Sequence, residues 1–156
     1  MAFENLLNEL EQRRRKALAM GGADKLAKRR AAGVLNARER IDYLFDKGTF
    51  IESGLFATSA YPEARDKSPG DGKITGYGRI HGREASCVAN DFTVMGASSS
   101  ATNMKKIGHM KRAAVSRGIP LVFLGESSGA RLPDNMGARG MGSLLAQDSQ
   151  QYLRQR

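Results

Sequence analysis

Cysteine and histidine are nearly absent from this chain, and each scarcity closes off a class of chemistry. Cys87, inside "EASCVAND", is the single cysteine, so no internal disulfide forms and a reducing, cytoplasmic setting is expected. It reads as a small residue packed in a strand. The two histidines, His81 and His109, stand far apart. With no His/Cys cluster and no carboxylates paired at helical spacing, no metal is expected. No run approaches the roughly 18 consecutive apolar residues of a membrane span. The N-terminal "MAFENLLNELEQRRRK" carries acidic residues and lacks the apolar segment of a secretory signal. Aromatics make up 6% of the chain, and few interleave with basic residues, so nucleic acid is not an expected partner. A G-x-x-x-x-G-K-[ST] phosphate loop is missing, and Gly137, Gly140 and Gly142 follow no predicted strand. Neither an internal repeat nor a low-complexity tract is present.

What is present is a soluble composition of 156 residues, 40% hydrophobic and 26% charged, enough for one domain with a modest core. The formal charge of +9 is uneven. Residues 1–48 hold 11 Lys/Arg against 7 Asp/Glu (+4), residues 49–100 hold 5 against 6 (−1), and residues 101–156 hold 9 against 3 (+6). The final third is therefore basic around its glycine-rich loops. Such a field suits a polyanion, whether nucleic acid or a phosphate-rich small molecule such as coenzyme A, as well as a plain solvated surface.

Hydropathy spacing predicts a helix over residues 3–18, with Phe3, Leu6, Leu7 and Leu10 as an apolar stripe. A basic helix over 23–32 follows the Gly21-Gly22 break. Asn36 and Glu39 form a capping box that opens a third helix carrying Ile41, Leu44 and Phe45. These helices make an N-terminal arm over residues 1–48, suited to docking or packing. The loop "SAYPEARDKSPGDG" separates the arm from a compact domain over 49–156. There, "GKITGYGRI" and Arg83–Phe92 read as a hairpin turning at His81-Gly82, so His81 is a turn residue. A serine-capped helix follows, burying Met104, Ile107, Ala114 and Val115 and ending at Gly118. "LVFLG" is a buried parallel strand. Hairpin, helix and strand together argue for an α/β fold with a crossover.

Two glycine loops each follow a strand, "VMGASSS" and "GESSGAR". The second contains G-x-S-x-G, the pattern of a serine nucleophile elbow at Ser127. A Ser-His-Asp machine needs an imidazole after the serine in this fold type, and none of the 29 residues that follow is histidine. The His-Gly-Gly-Gly oxyanion segment is missing as well. A second use of such loops needs no nucleophile: small residues admit a substrate close to the backbone, and successive N–H groups stabilise an oxyanion. Ordinary tight turns would also look like this.

Three stretches settle on one family: "ARERIDYLFDKGTFIE", "DGKITGYGRIHGREASCVANDFTVMGASSSATNMKKI" and "GIPLVFLGESSGARLPD". In this order the chain resembles the N-terminal part of the carboxyltransferase (beta) subunit of biotin-dependent acyl-CoA carboxylases, whose members include propionyl-CoA carboxylase beta subunits and methylmalonyl-CoA carboxyltransferase. The resemblance implies a partial crotonase-like (ClpP-type) spiral of ββα units behind the helical arm. It also implies transfer of a carboxyl group between carboxybiotin and the α-carbon of an acyl-CoA. By position, the backbone N–H groups of Ser128, Gly129 and Ala130 become oxyanion donors, and Gly96, Ala97, Ser98 and Arg131 line the substrate. Lys105 and Lys106, on the basic helix, are candidates for the CoA phosphates. Glu126 stands where the family has aspartate, Ser128 replaces the first glycine of a pair, and Ala97 replaces a second glycine.

Family subunits are much longer and carry a second half that binds biotin. The resemblance therefore implies a chain inactive alone, with biotin brought by a separate carrier. Implied partners are acyl-CoA, a complementary carboxyltransferase half or other subunits, the biotin carboxyl carrier and biotin carboxylase, in an oligomer. Two other readings stand beside it: a non-catalytic assembly fragment of a split subunit, and a G-x-S-x-G esterase.

Overall fold

A computed structural model describes residues 2–136. Three helices lead: α1 (Ala2–Leu18), α2 (Ala23–Ala31) and α3 (Ala37–Leu44). The strands β1 (Ile51–Ser53), β2 (Lys73–Ile80), β3 (Arg83–Asn90) and β4 (Leu121–Leu124) form one sheet in the order β1-β2-β3-β4. The first two pairings are antiparallel, and β3–β4 is parallel. Helix α4 (Ala101–Arg117) makes the crossover to β4, and a single turn, α5 (Leu132–Asn135), closes the described chain. The predicted capping box is present, since Asn36 accepts the N–H groups of Arg38 and Glu39 while Glu39 accepts that of Asn36. Ser100 and Asn103 form a second one at the start of α4.

The pleat of β3 sends alternate side chains to opposite faces. Ala85, Cys87 and Ala89 join Ile74, Ala37, Ile41, Phe45 and Met20 in one cluster. Val88 meets Ile107 and Met110 of α4 on the other face. Helix α3 therefore shares a core with the sheet, and three layers result: α3, sheet, α4. Gly76 and Gly78 of β2 explain how two phenylalanines fit there. A Cβ on Gly78 would lie 2.5 Å from the Phe45 ring, and one on Gly76 would lie 2.7 Å from that of Phe50. The absent side chains leave room for the rings, whose centroids are 5.0 Å apart.

Two details differ from the expected pattern. Val115 is exposed and Met110 takes its place as the fully buried apolar residue of α4, because the buried stripe follows positions 103, 107, 110 and 114. Strand β4 is half-exposed rather than buried, because among the described residues nothing pairs with its outer edge. The single Cys87 is a free, buried thiol of β3. Burial drives its pKa up to about 12, which leaves it an unreactive packing residue.

Because Phe45 is buried against Gly78, Phe45→Ala is expected to cost roughly 3–5 kcal/mol in urea unfolding. A loss under about 1 kcal/mol, at the level of a surface change, would mean that α3 is not part of the cooperative core.

Candidate functional site

Beyond the C-terminal end of β3 the chain makes a left-handed turn through Met95 (φ 49°), Gly96 (φ 61°) and Ala97 (φ 49°). The "GESSGAR" loop leaves β4 alongside and lies against this turn. The Ser128 N–H donates to Gly96 O at 2.9 Å, and the Ser99 N–H donates to Gly129 O at 2.8 Å. The Arg131 N–H returns to Ser99 O at 2.9 Å. Ser127 Oγ donates to Ala97 O at 3.1 Å and accepts the Gly129 N–H at 3.1 Å. The structure thus brings Gly96, Ala97 and Ser98 together with Ser128, Gly129, Ala130 and Arg131.

Their individual roles separate on inspection of each hydrogen. Of the three expected donors, Ser128 gives its N–H to Gly96 and Gly129 gives its own to Ser127. Ala130 makes no N–H bond among the described residues, and it is exposed. The left-handed residue of the loop is Gly129 (φ 111°), so Ser128 sits at its position without backbone strain. Gly96 has two reasons to lack a side chain. Its φ is positive, and a Cβ would stand 2.4 Å from Ser128 Oγ and 2.9 Å from Ser128 Cβ.

Arg131 turns inward. It is 6% exposed, and Nη1 donates to Asp71 Oδ1 at 2.7 Å, while Nε donates to Ser98 Oγ at 3.2 Å. Lys106 also turns inward. Its ammonium donates to the carbonyl oxygens of Gly54 (3.1 Å), Gly70 (2.9 Å) and Lys73. Held in that carbonyl cage, it does not reach a surface ligand, and Lys105 sits on the exposed side of α4. Lys73, also buried, donates to Ala97 O at 2.7 Å. Burial lowers both lysine pKa values to about 8.

Cations reach the site from elsewhere. A cavity of about 480 Å³ is lined by Lys25, Lys28 and Arg29 of α2, by Ala32 and Val34, and by Phe92, Thr93 and Gly96. Lys25 Nζ donates to Thr93 O at 3.0 Å, and the Arg29 guanidinium stands 5.9 Å from the Phe92 ring centre. Glu126 accepts both Nη groups of Arg29, at 2.8 and 2.7 Å, with Arg40 at 3.4 Å. Sequence reasoning missed Asp71, Lys73 and the α2 cations. The i, i+3, i+4 spacing of Lys25, Lys28 and Arg29, which places them on one helix face, is the signal for the last group.

The esterase geometry does not form. The partners of Ser127 Oγ are backbone groups. His81 sits in the turn at the far end of the β2–β3 hairpin, and His109 is exposed on α4. Among the described residues, no group of three or more His, Cys, Asp or Glu is placed to hold a metal. No helix there is long and apolar enough to cross a membrane.

The carboxyl transferase domain model matches residues 28–154. The chain belongs to the carboxyl transferase domain family. It is 38% identical over 143 residues to the propionyl-CoA carboxylase carboxyltransferase subunit of Haloferax mediterranei, covering 90% of this chain and 28% of that protein. The mitochondrial propionyl-CoA carboxylase beta chain of Homo sapiens is 38% identical over 132 residues, covering 81% and 24%. Among solved structures, transcarboxylase 12S with methylmalonyl-coenzyme A and methylmalonic acid bound matches with a TM-score of 0.80 at 33% identity, covering 90% of this chain and 28% of that one. A single-chain, multi-domain long-chain acyl-CoA carboxylase matches with a TM-score of 0.78 at 29% identity, covering 88% and 15%. The architecture is thus that of crotonase-like carboxyltransferase domains. The chain spans about a quarter of the length of the curated relatives it matches.

Two outcomes follow from this geometry. Gly96→Ala should destabilise the fold by clash and by left-handed strain together. In a Ser128→Gly background only the strain, about 1–2 kcal/mol, should remain; equal costs in both backgrounds, read by urea unfolding, would dissolve the Gly96–Ser128 contact. The buried lysines give a pH signature. Their folded pKa of about 8 lies below the ordinary 10.5, so from pH 8 upward the unfolded chain binds more protons and stability rises with pH. Above pH 9 the raised Cys87 pKa acts in the opposite direction and offsets part of this gain, one group against two. The urea midpoint should therefore climb between pH 8 and 9, and a falling midpoint would refute the burial of these ammonium groups.

Proposed function

We propose that this chain is the acyl-CoA half-site of a biotin-dependent carboxyltransferase. One observation carries the reading: the cation-lined cavity ends at Gly96, whose carbonyl is hydrogen-bonded to the "GESSGAR" loop. Phosphates of CoA suit Lys28 and Lys25 of α2 at one end. Phe92 and Val34 offer apolar walls, and the thioester lies toward the loop. There the Ala130 N–H supplies the oxyanion donor, with Gly129 joining when its N–H leaves Ser127 Oγ for the ligand. Donors aimed at the thioester oxygen stabilise the enolate left when the α-carbon loses its proton; the carboxyl group would then take that proton's place, and the proton would pass to the nitrogen that the carboxyl group has left. Biotin, brought on a separate carrier protein, supplies that carboxyl group, and no residue described here is assigned to hold it. Ser98, Arg131, Lys73 and Lys106 act in this reading as supports for the loops.

The partners that accompany this reading are a complementary carboxyltransferase half or other subunits, the biotin carboxyl carrier and biotin carboxylase, in an oligomeric, cytoplasmic enzyme. A second reading, a non-catalytic fragment that assembles with a complementary chain, draws on the apolar stripe of α1. Phe3, Leu6, Leu7 and Leu10 there are all exposed, Phe3 at 76%.

Titration with propionyl-CoA separates the two. The half-site binds it saturably, and more weakly as salt rises, because the anchoring charges are solvent-facing. Lys28→Ala should weaken binding roughly three- to tenfold, the effect of one exposed-to-half-buried phosphate contact. A folded chain that shows no saturable binding would leave the assembly reading in place.

A further inference from the structure

Glu126 joins parts of the molecule that are distant in sequence. Its carboxylate takes both arms of the Arg29 guanidinium on α2 and lies within 3.4 Å of Arg40 on α3. Its carbonyl oxygen accepts Asn90 Nδ2 at 2.8 Å, from the end of β3. Arg40 in turn donates to Asn90 O at 2.6 Å. Arg29 is 14% exposed and Glu126 30%, so this pair is shielded more than an ordinary surface ion pair, and its forked geometry fixes direction as well as distance.

Arg29 lines the cavity, so its charge invites assignment as a phosphate ligand. The hydrogens argue otherwise: both Nη groups already point at Glu126, and Nη2 also faces Leu35 O at 3.4 Å. We propose that Glu126 is a positioning residue of the half-site, its carboxylate clamping α2 to the Gly125–Arg131 loop. The cationic wall of the cavity and the backbone donors then keep a fixed spacing, matched to one extended ligand. Removing the clamp lets the two ends of the site move independently, although neither end loses a residue that touches the ligand. The choice of ligand rests on the acyl-CoA reading; the clamp itself does not.

The isosteric variant E126Q, the shorter neutral variant R29Q, and the double variant test this on the whole chain by two measurements. Calorimetric titration with propionyl-CoA gives Kd and stoichiometry per folded chain. Hydrogen exchange without ligand reports residues 23–31 and 125–131. For a clamp, E126Q raises Kd roughly tenfold, the scale of a lost charge-assisted fork, with stoichiometry unchanged. Electrostatics alone predicts the reverse, because deleting a negative charge beside a phosphate site tightens binding. R29Q matches E126Q, and the double variant is no worse than either single one. Exchange quickens in both segments and stays constant in β2 and β3. Unchanged or tighter binding by E126Q would overturn the clamp and make Arg29 a phosphate ligand. So would exchange that quickens in the loop but not in α2. If the unmodified chain binds no propionyl-CoA, the acyl-CoA reading falls, and the exchange result alone decides the clamp.

Discussion

A single buried carboxylate organises the site. Asp71 is 0% exposed, and each of its oxygens is committed. Oδ1 holds Arg131 at 2.7 Å, at the end of the glycine loop. Oδ2 takes the Ser100 hydroxyl and the Asn103 N–H, at the start of α4. Its carbonyl accepts Asn103 Nδ2 at 3.1 Å. A charge this deep is tolerated only when paired and hydrogen-bonded throughout. The result is a junction between the turn before β2, the first turn of α4 and the loop after β4. Breaking a buried pair of this type from one side costs about 3–5 kcal/mol, because the remaining charge is stranded. The junction therefore specifies one arrangement of three segments more than it adds net stability.

The same junction holds backbone that would not hold itself. Asp71 has φ 48°, and Met95 and Ala97 have φ 49°, conformations that cost on the order of 1–3 kcal/mol each for residues with a Cβ. The two left-handed turns containing them meet closely: a Cβ on Gly72 would lie 3.1 Å from Val94 O and 3.3 Å from Ala97 Cα. Lys73 braces the second turn through Ala97 O, and Lys106 braces the first through Gly70 O. Two ammonium groups are thus spent on carbonyl oxygens, not on ligands. This explains why burial lowers their pKa values without a carboxylate in direct contact to restore them.

Local chemistry carried the elements that the sequence made legible. The Asn36 and Ser100 caps, the His81-Gly82 turn and the Gly118 stop are each decided by neighbouring residues, and the structure shows them where periodicity and capping place them. The adjacency of the two glycine loops was also readable, through the family resemblance. Illegible were features set by pairs distant in sequence: Asp71 with Arg131 across 60 residues, and Arg29 with Glu126 across 97. Lys106 shows the cost of reading charge without contacts. On a helical wheel it belongs to a basic helix face, yet its neighbours 103, 107 and 110 are buried, and a position between them cannot face water.

The charge distribution shows the same limit from the other side. The basic final third surrounds the loops in sequence, but the cations that line the cavity come from α2, in the first third. Net charge governs how an anion approaches; which cations meet it depends on which helix face packs beside the opening. At the other end of the cavity, the serines of "GESSGAR" likewise serve the backbone. Ser128 ties its N–H to Gly96, and Ser127 spends its hydroxyl on Ala97 O and the Gly129 N–H. The N–H groups of Ser128 and Arg131 are bonded to the neighbouring turn and that of Gly129 within the loop, and these bonds hold the two loops side by side. The Ala130 amide, unbonded among the described residues and exposed, is the donor on which the acyl-CoA reading draws.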